Sequence, residues 1–259
     1  MDERDRRTLV CAALLHDVGH GPLSHTLEPI FEERFGINHH RTTREIVVGH
    51  TRYGSDIIDI LRAFDVDPDE VLALIDGEHD GAHGFLFSSQ INLDTLEGIT
   101  RCRAFAGPRS AFGSASAAVR RWAKSGTYPK NDFDDFWSLK NSVYNLVINA
   151  PIGRLLDTVA QSYMTTNINK FSPDDFLKTE RSFRASHREL FSYLKIVLEH
   201  TNDLRDHLPR LWLDVDVKIN DRLFFVDDDI GSVCTHNIDD RYRQTRSRYS
   251  VKLAELVKG

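Results

Sequence analysis

Leu14 to Thr26 reads LLHDVGHGPLSHT and gathers His16, Asp17, His20 and His25 at the end of an apolar run. An imidazole nitrogen beside a carboxylate oxygen is a mixed donor set. It suits Zn, Mn, Fe or Ni better than an ion that prefers thiolates. His16 and His20 share one face if a helix continues through both. Taken singly, each histidine would read as a surface or capping residue. An aspartate set in an apolar helix and followed by Gly-His-Gly-Pro reads differently, because burying its charge without a partner cation is costly. The chemistry indicated is metal binding with imidazoles close by.

The elements that position these residues are mostly helical. Thr8 to Asp17 (TLVCAALLHD) reads as a buried helix of strong helix formers, broken by the glycines of DVGHGP. Ser24 to Phe35, Thr42 to His50 and Ser55 to Ala63 read as further helices, Pro68 opens another, and Gly77 to Gly84 is a loop. Phe85 to Arg103 is expected to be one helix. The stretch from Ala104 to Asp132 is rich in Gly, Ser and Ala, with a short helix near Ala117 to Ala123. Phe136, Leu139, Val143, Leu146 and Val147 line one face of a long periodic stretch that Pro151 divides. Ser172-Pro-Asp-Asp has the chemistry of a helix start, and Arg184 to His200 continues the helical pattern. After Pro209, WLDVDVKI and RLFFVDD read as strands. The expected fold class is mainly α, with a small mixed α/β region at the C-terminal end. The expected division is a helical domain over 1–165 and an appendage over 166–259.

The chain's 259 residues carry 33 basic and 39 acidic side chains, a net charge of −6. That balance argues against a nucleic-acid wrapper, since phosphate backbones need a surplus of Lys and Arg. Cys11, Cys102 and Cys234 are few, distant and odd in number, which reads as reduced thiols in a cytoplasmic protein. No apolar run approaches a membrane span, so no membrane association is expected.

LLHDVGHGPLSH resembles the signature of the HD-domain metal-dependent phosphohydrolases, and within them is most similar to the deoxynucleoside triphosphate triphosphohydrolase branch. The resemblance is strong over Leu9 to Arg101 and weaker over Asp135 to Met164. It implies a helical fold and a divalent metal ion (Mn, Fe, Zn, Ni or Mg). The implied ligands are His16, Asp17 and the distant Asp94, which opens a helix in NLDTLEGITR. Asp94 alone would read as a plain helix cap. The resemblance also implies that His20 and His39 contact phosphate oxygens and that His25 is the acid for the leaving group. Imidazole suits both tasks because its pKa lies near working pH. His39 matches a family histidine usually followed by Glu; here His40 takes that place. His50, His79 and His83 match nothing and read as surface residues.

Two departures from the family pattern stand out. The family's first metal-binding His lies several tens of residues before the His-Asp pair, and no His precedes His16 here. The expectation favoured is a truncated chain, with Leu9, Ala12 and Ala13 left exposed on the first helix. Near Asp94, the family's Lys, Tyr and further Asp are replaced by Thr95, Gly98 and Cys102. Phosphate grip would then move to Lys140 or Arg101, although Lys140 also reads as a solvated helix charge and Arg101 as an ion-pair residue. The resulting expectation is metal-assisted hydrolysis of a small-molecule nucleotide, deoxynucleoside triphosphates first. The rival is a degenerate HD protein that binds nucleotide or acts as a scaffold without turnover. No stable nucleic-acid partner is expected, and homo-oligomerisation is left open.

Overall fold

The computed structural model describes residues 2–50, 54–81, 83–106, 113–125, 130–200, 203–227 and 238–257. Cys234 and most of the VDDDIG segment lie outside the described residues. In chain order the helices are α1 (Glu3–Leu15), α2 (Glu28–Phe35), α3 (His39–Val47), α4 (Asp56–Ala63), α5 (Pro68–Ile75), α6 (Phe85–Ser88), α7 (Leu93–Ala106), α8 (Ala115–Ser125) and α9 (Lys130–Val143). Next come α10 (Pro151–Thr166), α11 (Glu180–Ser186), α12 (Arg188–Glu199), α13 (Leu204–His207) and α14 (Arg210–Leu213). The chain continues through β1 (Asp216–Val226), α15 (Ile238–Arg241), β2 (Tyr242–Lys252) and α16 (Leu253–Leu256). The protein is mainly helical, with one small two-stranded antiparallel sheet.

The chain forms two compact units, each built from separate segments. The first comprises Met1–Leu72, Pro151–Ile219 and Tyr249–Gly259; the second comprises Ala73–Ala150 and Asn220–Arg248. The division at 165/166 expected from sequence falls inside the first unit.

In the first unit, local chemistry fixes the helix ends. The Asp2 carboxylate accepts from the Asp5 amide at 2.8 Å and starts α1. Pro29 sits in the first turn of α2, and Gly36, at φ +67°, ends it. Asn38 caps α3 by accepting from the Arg41 amide at 2.9 Å. A continuous core then joins Leu27 and Phe31 to Val159, Tyr163 and Met164 of α10, to Leu190 and Val197 of α12, and to Leu253. Each fully buried side chain of this kind contributes roughly 1.5–3 kcal/mol relative to exposure.

In the second unit, Phe133, Phe136, Trp137, Leu139 and Val143 form the buried face of α9. The Trp137 indole donates to the Phe225 carbonyl at 3.1 Å and packs edge-on against Phe224. Asp134 accepts from the Arg241 guanidinium at 2.6 and 2.9 Å and from the Tyr242 hydroxyl at 2.9 Å.

Several local expectations are corrected. The helix expected over Thr8 to Asp17 begins earlier and stops at Leu15, so His16 and His20 do not share a helical face. It is only partly buried. Thr8 and Ala12 face inward, while Val10 is 52% and Leu14 76% exposed, so the apolar exposure falls on the opposite face from Ala12. Phe85 to Arg103 is two helices, because Ser88 to Asn92 turns between α6 and α7. After Val143 the chain makes a π-helical turn, Tyr144–Ile148. Its wider turn changes the phase of the periodic face, and Leu146 points outward. The two expected strands are one: Trp212 belongs to α14, and β1 runs unbroken through Asp221. Its partner β2, YRQTRSRYSVK, carries no apolar alternation because it is exposed along nearly its whole length.

Candidate active site

His16 caps the C-terminal end of α1, its amide donating to the Ala12 carbonyl at 3.0 Å. Its Nδ1 lies 2.9 Å from the Ala13 carbonyl oxygen. That oxygen can only accept, so Nδ1 carries a proton, and Nε2 is the nitrogen that faces Asp17 and would supply a lone pair to an ion displacing its own proton. Anchoring one imidazole nitrogen on a carbonyl is how metal-binding histidines are oriented. Nε2 lies 3.3 Å from Asp17 Oδ2, and the other Asp17 oxygen lies 3.4 Å from His20 Nε2. Hydrogen bonds from His16 and then His20 hold the Asp17 carboxyl far below the usual carboxylate range. Asp17 is therefore anionic at any physiological pH. An imidazole nitrogen beside an ionised carboxylate fits a divalent ion, and HD domains bind such ions.

The turn after Asp17 is compressed. The His20 amide donates to the Asp17 carbonyl at 3.1 Å. A Cβ on Gly19 would lie 2.3 Å from both the His39 carbonyl oxygen and the Thr43 amide nitrogen, far inside contact distance. Only glycine lets α3 approach this turn, and the Gly19 amide uses the proximity to donate to Thr43 Oγ1 at 3.0 Å. Leu23 and Ser24 follow at φ +59° and +41°. Two successive left-handed non-glycine residues cost roughly 1–2 kcal/mol each, and strain of this kind tends to accompany functional sites.

That approach assembles a histidine cluster. The His20 and His39 rings stack at 4.1 Å and 14°, with the His25 ring edge-on to His20 at 4.6 Å. Glu28, buried at the start of α2, ties them together. Its Oε1 accepts from the His39 ring Nδ1 at 2.5 Å and from the His39 amide at 2.8 Å. Its Oε2 accepts from His25 Nδ1 at 3.2 Å. Burial works to raise the Glu28 pKa, but the His39 amide and ring outweigh it, and the group sits below its ordinary value. Burial likewise lowers the His39 pKa, against the opposing pull of Glu28. His25 is 74% exposed, and His20 is largely buried. His20 Nδ1 is fully buried and has no hydrogen-bond partner among the described residues.

Glu28 is the member of this cluster that sequence reading missed. The carboxylate expected after His39 is absent because His40 stands there, and Glu28 supplies it from eleven positions upstream. Its spacing of three from His25 was the available signal.

The remaining expected residues lie in the second unit. Asp94 is the second residue of α7. It does not make the capping bond, because Asn92 Oδ1 accepts from the Thr95 amide at 2.7 Å. Lys140 is not a solvated helix charge: it is only 9% exposed, with Nζ 4.5 Å from the Trp137 ring centroid and 4.8 Å from that of Phe224. Burial first, then the Arg222 charge, lowers its pKa to about 8, opposed by the charge of Asp94. Arg101 is exposed and pairs with Glu97 one turn earlier, at 2.9 Å.

These features place the decisive motif on the chain's first hundred residues. Residues 1–103 match the HD domain. HD domains are in general the helical modules of metal-dependent phosphohydrolases. The chain is similar to the uncharacterized protein YwfO of Bacillus subtilis (strain 168), 34% identical over 100 residues, covering 39% of this chain and 22% of that protein. It is also similar to the uncharacterized protein MG461 of Mycoplasma genitalium, 31% identical over 113 residues, covering 41% of this chain and 26% of that one. The chain thus covers only about a quarter of the length of each of these relatives. No helix among the described residues is long and apolar enough to cross a membrane.

Proposed function

We propose that this HD domain hydrolyses a nucleotide, with deoxynucleoside triphosphates as the substrate class, and that His16, Asp17 and Asp94 hold its divalent ion. The observation that carries the reading is the HD pair itself: a His16 ring oriented by the Ala13 carbonyl, beside a carboxylate kept ionised, with three imidazoles adjoining. A bound divalent ion supplies charge neutralisation at a phosphoryl group and acidifies a water molecule.

The chain's own residues do the rest. His20 and His39 contact phosphate oxygens; their stacked rings set two imidazoles side by side for one anion. Glu28 fixes the Nδ1 protons of His25 and His39, which leaves His25 Nε2 directed away from the carboxylate. His25 is the acid that donates a proton to the leaving oxygen, and its exposure gives it ready access to solvent protons for reloading. In the second unit, Lys140 is a buried cation against two aromatic rings, with the Asp94 charge acting on it, and a phosphate group is an anion such a cation can hold. Arg101 supplements that grip by exchanging Glu97 for phosphate.

The test is metal analysis of the purified chain, followed by a nucleotide panel assayed separately for free phosphate and for released triphosphate. Triphosphate release from deoxynucleotides, lost together with bound metal in Asp17→Ala, is the expected result. Retained metal and activity in Asp17→Ala would overturn the assignment. Nucleotide binding without turnover would favour the scaffold reading.

A further inference from the structure

A second histidine-carboxylate cluster lies in the first unit, where α12 ends and α13 begins. We propose that His200, Asp203 and His207 form a binding site for Zn2+ or a similar borderline divalent ion, independent of the function proposed for the HD pair.

The three side chains converge on one point. His200 Nδ1 lies 3.3 Å from Asp203 Oδ1, and His207 Nε2 lies 3.1 Å from Asp203 Oδ2. The two rings are 4.0 Å apart between centroids. One donor atom from each residue falls within 4.8 Å of the other two. Two donors sharing an ion at bonds of ~2.0–2.2 Å are separated by at most about 4 Å. Side-chain rotations of less than an ångström therefore close the set, and partial exposure of all three leaves room for them.

The flanking residues are anchored in the core. Val197, Leu204 and Leu208 bracket the cluster in sequence, and all three are buried in the first unit's core. His200 is pinned as the C-cap of α12, its amide donating to the Ile196 carbonyl at 2.9 Å. Two neighbouring imidazoles favour a borderline ion over Mg2+ or Ca2+, which take oxygen ligands. Three protein ligands from one short segment leave a coordination position for water or for a donor from another molecule. Binding there would clip α13 onto the end of α12 and raise the stability of the folded chain by linkage.

The experiment uses the full chain with His16→Ala and Asp17→Ala combined, so that the HD pair contributes no ion. Zn2+ is titrated by calorimetry, and thermal unfolding is followed with and without Zn2+. The same chain carrying in addition His200→Ala and His207→Ala is expected to bind one Zn2+ fewer and to lose the Zn2+-dependent rise in Tm. Asp203→Asn, which preserves shape, is expected to weaken the site at least about tenfold, as removal of its only anionic ligand should. Co2+ offered in place of Zn2+ should give the visible absorption of a low-coordinate nitrogen-oxygen site, present before and absent after the histidine substitutions. Unchanged stoichiometry, Tm response and Co2+ spectrum in the histidine variants would overturn the proposal. Because the HD pair is silent throughout, that result would leave the proposed hydrolase untouched.

Discussion

Replacing Lys140 by Met should stabilise the protein, and by a pH-dependent amount. Lys140 lies against Trp137 and Phe224, and burial lowers its pKa from 10.5 to about 8. At 1.36 kcal/mol per pKa unit, that gap corresponds to about 3 kcal/mol. Below pH 8 the ammonium is charged in both folded and unfolded chains, and the fold carries the whole cost of desolvating it. Between about 8 and 10.5 the unfolded chain keeps its proton while the folded chain has released it, so rising pH favours folding. Above 10.5 both forms are neutral and the cost is gone. Methionine fills a similar volume, remains unbranched and never ionises. Lys140→Met should therefore exceed the parent by up to about 3 kcal/mol at pH 7, with the advantage closing as pH passes 10.5. Urea unfolding of both proteins at pH 7 and again above pH 10.5 measures it, and their difference cancels every other titrating group except the facing Asp94 and Arg222. An advantage of the same size at both pH values, or a loss of stability at pH 7, would refute the reasoning. The same substitution should raise KM for a phosphorylated substrate if Lys140 grips phosphate.

Gly19→Ala forces a Cβ to within 2.3 Å of the α3 backbone, so it should cost roughly 1–3 kcal/mol, read as a lower urea midpoint, and displace His39 from His20. Glu28→Ala strips the acceptor from two imidazoles and one amide; it should lower kcat by about 10–100-fold, with Glu28→Gln intermediate. An unchanged kcat would remove Glu28 from the site. Asp175 accepts from the Ser172 amide, Lys178 and His187 while buried, so Asp175→Ala should cost about 3 kcal/mol in thermal unfolding, against well under 1 kcal/mol if the group were idle.

What could be read in the sequence was local. His16, Asp17, His20 and His25 fall within one turn and its flanks, so their types and spacing carried the motif without any knowledge of packing. Glu28 was overlooked because half of its meaning comes from His39, which α3 brings back beside it. Lys140 looked solvated because a sequence window around α9 contains Trp137 but not Phe224, the other half of its aromatic box. The early end of α1 was hidden by good helix formers running up to His16; the compressed turn at Gly19 overrides their propensity. β2 was invisible for the opposite reason. A strand with almost no buried face has no pattern to show, and its place is set by pairing with β1, just beyond which the Leu253 amide donates to the Val215 carbonyl at 3.0 Å.

The interleaving of segments also bears on how the chain comes to fold. Leu27 and Phe31 share one core with Leu253 and Val257, residues synthesised more than two hundred positions later. On the ribosome, the HD motif emerges before α16 and must wait for it before its supporting core is whole. The stretch from Ala73 to Ala150 is looped out of the first unit while that closure takes place. Contacts so distant in sequence slow folding and leave apolar surface uncovered in the meantime. A chain released before α16 would leave Leu27, Phe31 and Trp212 without part of their cover, as apolar surface open to aggregation.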